Sequence, residues 1–187
     1  MDIIRNLIDY STNIIANGGV FLGVFLIIVE SLIPIIPLSV IIALNVNAFG
    51  FIPAIFISWI STCLGCYISY SFFYYFSTKF LDKIRKKHEK QVTAIKNISL
   101  VNLTVLVTLP FTPAFLINIL AGIVRMPRKK FLIAIIIGKI FMVSFWGYVG
   151  KSFIESITDM TSIIIITIMV IVAYIISKLI SKKSNIE

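Results

Sequence analysis

Two Pro-x-x-Pro breaks, each set inside a long apolar run, constrain this chain more than any other feature. Pro34-Ile35-Ile36-Pro37 interrupts the run Val20 to Ala48, and Pro110-Phe111-Thr112-Pro113 interrupts Ile98 to Ile123. Each proline removes a backbone donor and clashes with the carbonyl four residues earlier. Neither run can therefore be one plain helix. Three other runs carry no such break: Phe51 to Ser77, Phe131 to Val149 and Thr161 to Ile180. As a helix, the 27 residues from Phe51 to Ser77 would reach about 40 Å, ample for a tilted crossing of a bilayer core about 30 Å thick. Apolar residues make up 59% of the 187 and charged residues only 13%, with a mean hydropathy of +1.03. A soluble domain carries about 25% charged residues. A water-soluble globule, a disordered chain and a disulfide scaffold are excluded. The runs are also too long and too uniform for barrel strands, so the fold class is all-α integral membrane.

The net charge of +9 does not point to nucleic acid, because most of the Lys and Arg fill short gaps between apolar runs. Seven basic residues fall between Lys79 and Lys96, Arg125, Arg128, Lys129 and Lys130 follow the third run, and Lys178, Lys182 and Lys183 sit in the tail. The gap 150–160 instead sets Lys151 against Glu155 and Asp159. The positive-inside rule makes the first three regions cytoplasmic and the last external. Strong inside signals on both flanks of residues 98–123 require a re-entrant hairpin turning at Pro110–Pro113. Irregular backbone at that depth must be buried in protein or line a polar cavity. The same reasoning makes 20–48 a hairpin opening outward, with a kinked full crossing as the alternative.

The expected organisation has three parts. Residues 1–18 form an interfacial amphipathic helix with Ile3, Ile4, Leu7 and Ile8 on one face, broken by Gly18-Gly19 rather than cleaved as a signal. Residues 19–150 form the membrane core: hairpin 20–48, span 51–77, basic loop 79–97, hairpin 98–123 and span 131–149. In the basic loop, Leu81, Ile84, His88 and Ile95 form an apolar face that would lie on an anionic inner leaflet. Residues 151–187 add a C-terminal transmembrane helix and a basic tail. The halves match: 16 residues separate Pro37 from Pro53 and 14 separate Pro113 from Pro127, while 12 lead on to Gly65 and 11 to Gly138. The chain therefore reads as an inverted repeat of a re-entrant broken hairpin plus a transmembrane helix, with a midplane site at the repeat interface.

Chemistry is sparse. Cys63-Leu64-Gly65-Cys66 is read as two small residues on a helix face, not a redox or metal pair, since His88 is the single histidine and lies far off. No Ser/His/Asp set can be assembled, so no enzyme, metal or cofactor is expected. Glu30 and Lys139 are ionisable residues expected at membrane depth, where each needs a partner or water. They are read as facing one polar cleft near Pro34, Pro37, Pro110 and Pro113, whose breaches expose backbone groups to a headgroup. Asn118 joins them on the substrate or proton pathway. Arg125, at the hairpin exit, is a topology charge that can contact a lipid headgroup at the interface.

These residues resemble a known family. Glu30-Ser31-Leu32-Ile33-Pro34-Ile35-Ile36-Pro37, Leu109-Pro110-Phe111-Thr112-Pro113, Ala121-Gly122, Met126, Phe131, Gly138 and Trp146-Gly147-Tyr148-Val149-Gly150 are together similar to DedA proteins, also called VTT-domain or SNARE-associated Golgi proteins. The resemblance covers about residues 20–150. It implies inverted re-entrant hairpins and a lipid scramblase or flippase, moving phospholipid or polyprenyl phosphate, with proton coupling in several members. One departure is that many members place Arg just before the second Pro-x-x-Pro, where this chain has Val107-Thr108-Leu109. The expected function is movement of lipid headgroups through a cleft between the hairpins. A proton-coupled small-solute transporter or a non-transport membrane assembly factor are the alternatives. The expected partners are membrane lipids, and protons where transport is coupled, with no nucleic acid and nothing that indicates a homo-oligomer. The Ile, Lys and Asn content points to a bacterial cell membrane, crossed several times.

Overall fold

The computed structural model describes residues 2–34, 37–76 and 89–155, together with 167, 168, 170–172, 174–176, 178 and 179. Seven helices form the described core: α1 Asp2–Leu32, α2 Leu38–Phe49, α3 Phe51–Tyr75, α4 Glu89–Asn97, α5 Leu100–Thr108, α6 Ala114–Ile123 and α7 Arg128–Glu155. The described residues between 167 and 179 are also helical. The expected apolar face of the basic loop lies outside the described residues at Leu81, Ile84 and His88, while Ile95, in α4, is buried. Three helical stretches, Asn6–Leu32, Phe51–Tyr75 and Arg128–Gly150, are long and apolar enough to cross a membrane.

The breaks have local causes. Gly19 interrupts α1 with φ 65° and ψ −172°, so the helix is two segments across a kink. Pro34 and Pro37 separate α1 from α2, and Leu109 to Pro113 separate α5 from α6. Gly50, with φ 82°, ends α2 and starts α3. Ser99 caps α5 by accepting from the Asn102 amide at 3.1 Å, which satisfies one of the orphan donors of a helix start. At the end of α6 the Met126 amide donates to the Ala121 carbonyl and the Arg125 amide to Gly122, with Arg125 left-handed at φ 52°. That is the Schellman pattern, with arginine where glycine is usual.

Side chains are distributed inside out relative to a soluble bundle. On α3, Ile52, Phe56, Ile60, Leu64, Ile68 and Phe72 are exposed, whereas Ser58, Ser61, Thr62, Gly65, Cys66 and Ser69 are buried. Small and polar residues at helix contacts, with bulky apolar ones outside, suit packing in lipid. The packing also interchanges the halves. The first arms stay home, α1 on α3 and α5 on α7, while the return arms cross over, α2 packing on α7 and α6 on α3. Glycine admits the home contact each time. A Cβ at Gly65 would stand 2.5 Å from Ser31 Oγ, and one at Gly138 would stand 2.9 Å from the Thr104 carbonyl.

Two ends of the bundle follow from specific contacts. At one end Asn47 Nδ2 donates to Thr12 Oγ1 at 2.9 Å, next to the Gly50 turn. At the other, Lys130 Nζ donates to the Ile98 carbonyl, and Arg128 bonds the Tyr75 hydroxyl while stacking over the Tyr74 and Tyr75 rings. Asn47 thus lies beside the first segment of α1 at one end, and the start of α7 lies beside Ile98 and the end of α3 at the other. The long helices α3 and α7 connect them. Tyr70 locks the second end: it stacks on Phe131 at 4.4 Å and 17° and donates to the Met126 carbonyl at 2.5 Å.

Candidate functional site

The two proline breaks meet in the middle of the bundle. Between them lies a cavity of about 330 Å³, at the lower end of the range of ligand pockets. Pro34 and Pro37 line it from the first break, Pro110, Thr112 and Pro113 from the second. Glu30, at the last turn of α1, brings the one carboxylate of the lining. α7 contributes Met142 and Trp146, and α6 contributes Phe115 and Leu116. Trp146 is held edge-to-face by Phe111 at 5.5 Å and 78°. Phe111 in turn meets Tyr174 of the C-terminal helical residues at 5.7 Å.

The residues singled out from the sequence divide into two groups. Glu30, Pro34, Pro37, Pro110 and Pro113 come together on the cavity wall. Lys139, Asn118 and Arg125 do not line it. Lys139 is only 2% exposed. Lys139, Met142 and Trp146 are spaced three and four residues apart and so share one face of α7, with the lysine a turn nearer the start of the helix. Its ammonium attracts Glu30 electrostatically and also acts on Cys63, without a direct salt bridge to Glu30 among the described residues. The cavity thus holds the carboxylate on its wall, and the ammonium is not among its described lining residues. The reason is depth: the α3–α7 crossing, where Trp59 Nε1 donates to the Ile136 carbonyl at 2.9 Å and Cys63 Sγ to Ile135 at 3.7 Å, encloses the start of that face.

Asn118 is buried on α6, and its Nδ2 has no hydrogen-bond partner. Arg125 is exposed in the turn after α6. Four residues were missed from the sequence. Asn45 is fully buried on α2, donates from Nδ2 to Ser58 Oγ at 3.2 Å and leaves Oδ1 unpartnered. Its signal was present, for Asn45 precedes Gly65 by 20 residues and Asn118 precedes Gly138 by 20. Thr112 and Ser39 offer hydroxyls to the cavity, and Thr112 Oγ1 has no partner. Trp146 stands in the sequence as part of a Trp-Gly motif, with nothing there to aim it at the breaks. Among the described residues, no three His, Cys, Asp or Glu side chains gather as metal ligands.

Comparison with known proteins places this geometry. The VTT domain matches residues 33–152, which contain α2 to α7 almost entirely and both proline breaks, and begin just after Glu30. The chain is also 27% identical over 158 residues to the "Uncharacterized membrane protein YhjE" of Bacillus subtilis (strain 168), covering 81% of this chain and 76% of that protein. No solved structure matches it. The chain belongs to the VTT-domain family of membrane proteins, also called the DedA family.

Proposed function

We propose that the chain is a lipid scramblase or flippase of a bacterial cell membrane, which passes headgroups through the cavity between its two proline breaks while the acyl tails stay in the bilayer. The observation that carries this reading is the shared wall: both Pro-x-x-Pro segments and Glu30 face one cavity. Helix lengths support re-entrant arms. The 12 residues of α2, 9 of α5 and 10 of α6 extend about 18, 14 and 15 Å, roughly half of a 30 Å hydrocarbon core. Two arm pairs entering from opposite ends, with return arms exchanged between the halves, form an inverted repeat whose breaks meet at mid-depth. That is where repeat-built transporters hold their substrates.

Reconstitution tests the proposal. Liposomes containing the purified chain and tail-labelled phospholipids should show labelled lipid becoming accessible from the opposite leaflet, and Glu30→Gln should slow it strongly. Protein-containing liposomes in which no labelled lipid crosses would remove the reading. Glu30 also favours a second one, a proton-coupled solute transporter, because a carboxylate in a membrane cavity can carry a proton. Solute uptake that needs an imposed proton gradient, without lipid movement, would select that alternative.

A further inference from the structure

The charge lining the cavity is of one sign. Among the described residues that line it, Glu30 is the one that is ionisable, the rest being Pro, Leu, Ser, Thr, Ala, Phe, Met and Trp. The basic side chain that attracts Glu30, Lys139, is 2% exposed and outside the lining. The stretch ahead of the second break supplies no cation either. Val107 and Leu109 are buried apolar residues, and Thr108 Oγ1 donates to the Thr104 carbonyl at 2.8 Å. The aromatic wall complements this charge. Trp146 borders the cavity, in edge-to-face contact with Phe111 and Phe145 at 5.5 and 5.3 Å, and indole is the best aromatic partner for a cation. Thr112 also borders the cavity, but its hydroxyl oxygen is buried without a partner.

We infer that the cavity takes an ammonium group, primary or quaternary, and so selects zwitterionic headgroups that bear one over headgroups whose only charge is phosphate. This inference rests on the lipid-transport reading and names its substrate class. A carboxylate and an aromatic ring at the cavity wall both stabilise a cation that has left water. A headgroup carrying phosphate alone would enter beside the Glu30 carboxylate and find no cation among the described lining residues, Lys139 lying beyond them, so its desolvation would be less well compensated. In a zwitterionic headgroup the ammonium leads into the cavity and the phosphate trails toward the wet rim.

The same ammonium could be carried by a lipid or by a water-soluble amine, and the experiment separates the two. In liposomes containing the full chain, tail-labelled phosphatidylethanolamine and phosphatidylcholine should cross about ten-fold faster than tail-labelled phosphatidylglycerol, in line with a cation–π contact plus a carboxylate. Glu30→Gln should bring that ratio close to one. Phosphatidylglycerol crossing as fast as the zwitterionic lipids overturns the inference and leaves lipid transport standing. If no lipid crosses, the transport reading falls, and ammonium recognition is then decided by binding. For that measurement Trp59→Phe leaves Trp146 as the one tryptophan of the two in the chain. Titration with glycerophosphocholine should shift Trp146 emission at about ten-fold lower concentration than glycerol phosphate does. An equal or weaker response overturns the inference outright. Choline accumulation in protein-containing liposomes would support ammonium recognition and assign it to a solute.

Discussion

The ammonium of Lys130 donates to the carbonyl of Ile98, joining the start of one apolar segment to the helix that follows its end. In the hairpin that we propose, everything from α5 to the α6–α7 turn leaves and returns to the same end of the bundle. In a membrane, both flanks must then face one compartment. With Cys63 and Cys66 replaced, single cysteines at positions 97 and 126 should both react with a membrane-impermeant thiol reagent from the cytoplasmic side alone. Position 97 is the exposed Asn97, while Met126 is buried, so labelling at 126 should be slower but on the same side. Reaction of the two from opposite sides would rule out the second hairpin.

Gly65 and Gly138 carry the home contacts of the two halves, but their neighbours differ in kind. A Cβ at Gly65 meets first the side chain of Ser31, with backbone no nearer than Ile28 Cα at 3.3 Å, whereas one at Gly138 meets Val107 Cγ2 at 2.4 Å and also the Thr104 backbone oxygen at 2.9 Å. A side chain can yield more readily than a backbone carbonyl. Alanine recovers about 1 kcal/mol of helix propensity over glycine, against about 1–3 kcal/mol for overpacking. Gly138→Ala should lower the unfolding temperature in detergent, and Gly65→Ala should lower it less. The reverse order would show that α5 moves more freely against α7 than α1 does against α3.

Much of this architecture was legible because proline and charge act locally. Pro34, Pro37, Pro110 and Pro113 separate helices where they fall, and the basic residues around 79–96 and 125–130 carry the topology expectation. Spacing also identifies faces: Lys139, Met142 and Trp146 recur on one side of α7. It does not give depth along that face, and depth separates the buried ammonium from the cavity-lining indole. The exchange of return arms between halves was not legible either. It depends on which pairs of apolar surfaces fit, and isoleucine-rich helices offer nearly the same surface all round. Asn45 was passed over because one amide in an apolar run reads as incidental until its spacing from Gly65 is set beside that of Asn118 from Gly138.

Arg125 tests whether a residue kept for its charge also limits the backbone. It holds the left-handed position of the α6 terminus at φ 52°, a conformation costing a residue with a side chain about 1–2 kcal/mol. Glycine removes that strain but adds about 0.5–1 kcal/mol of unfolded-state entropy. Arg125→Gly should therefore leave the unfolding temperature unchanged or slightly higher, and Arg125→Val should lower it. If Arg125 contacts lipid phosphate, both variants should also lose stabilisation by added anionic lipid, which heating curves with and without phosphatidylglycerol would detect.

Glu30 and Lys139 attract each other across the boundary of the cavity, with the carboxylate on the wall and the ammonium enclosed beyond it. Their separate settings predict separate phenotypes. Glu30→Gln keeps the shape but leaves the 2% exposed Lys139 ammonium without the carboxylate that offsets it, so it should lose most of its transport and more stability than Lys139→Met does. Lys139→Met keeps the stem of a 2% exposed side chain and removes the charge that offsets Glu30. It should cost stability as well as transport, since an isolated charge in an apolar setting is unfavourable. The double variant leaves neither charge alone and should regain part of that stability without regaining transport. A coupling of about 0.5–3 kcal/mol is expected for an interacting pair. Unfolding temperatures of the wild type, both single variants and the double variant close the cycle. Strict additivity would mean that the two charges do not sense each other. Wild-type transport in both single variants would mean that neither charge acts on the substrate.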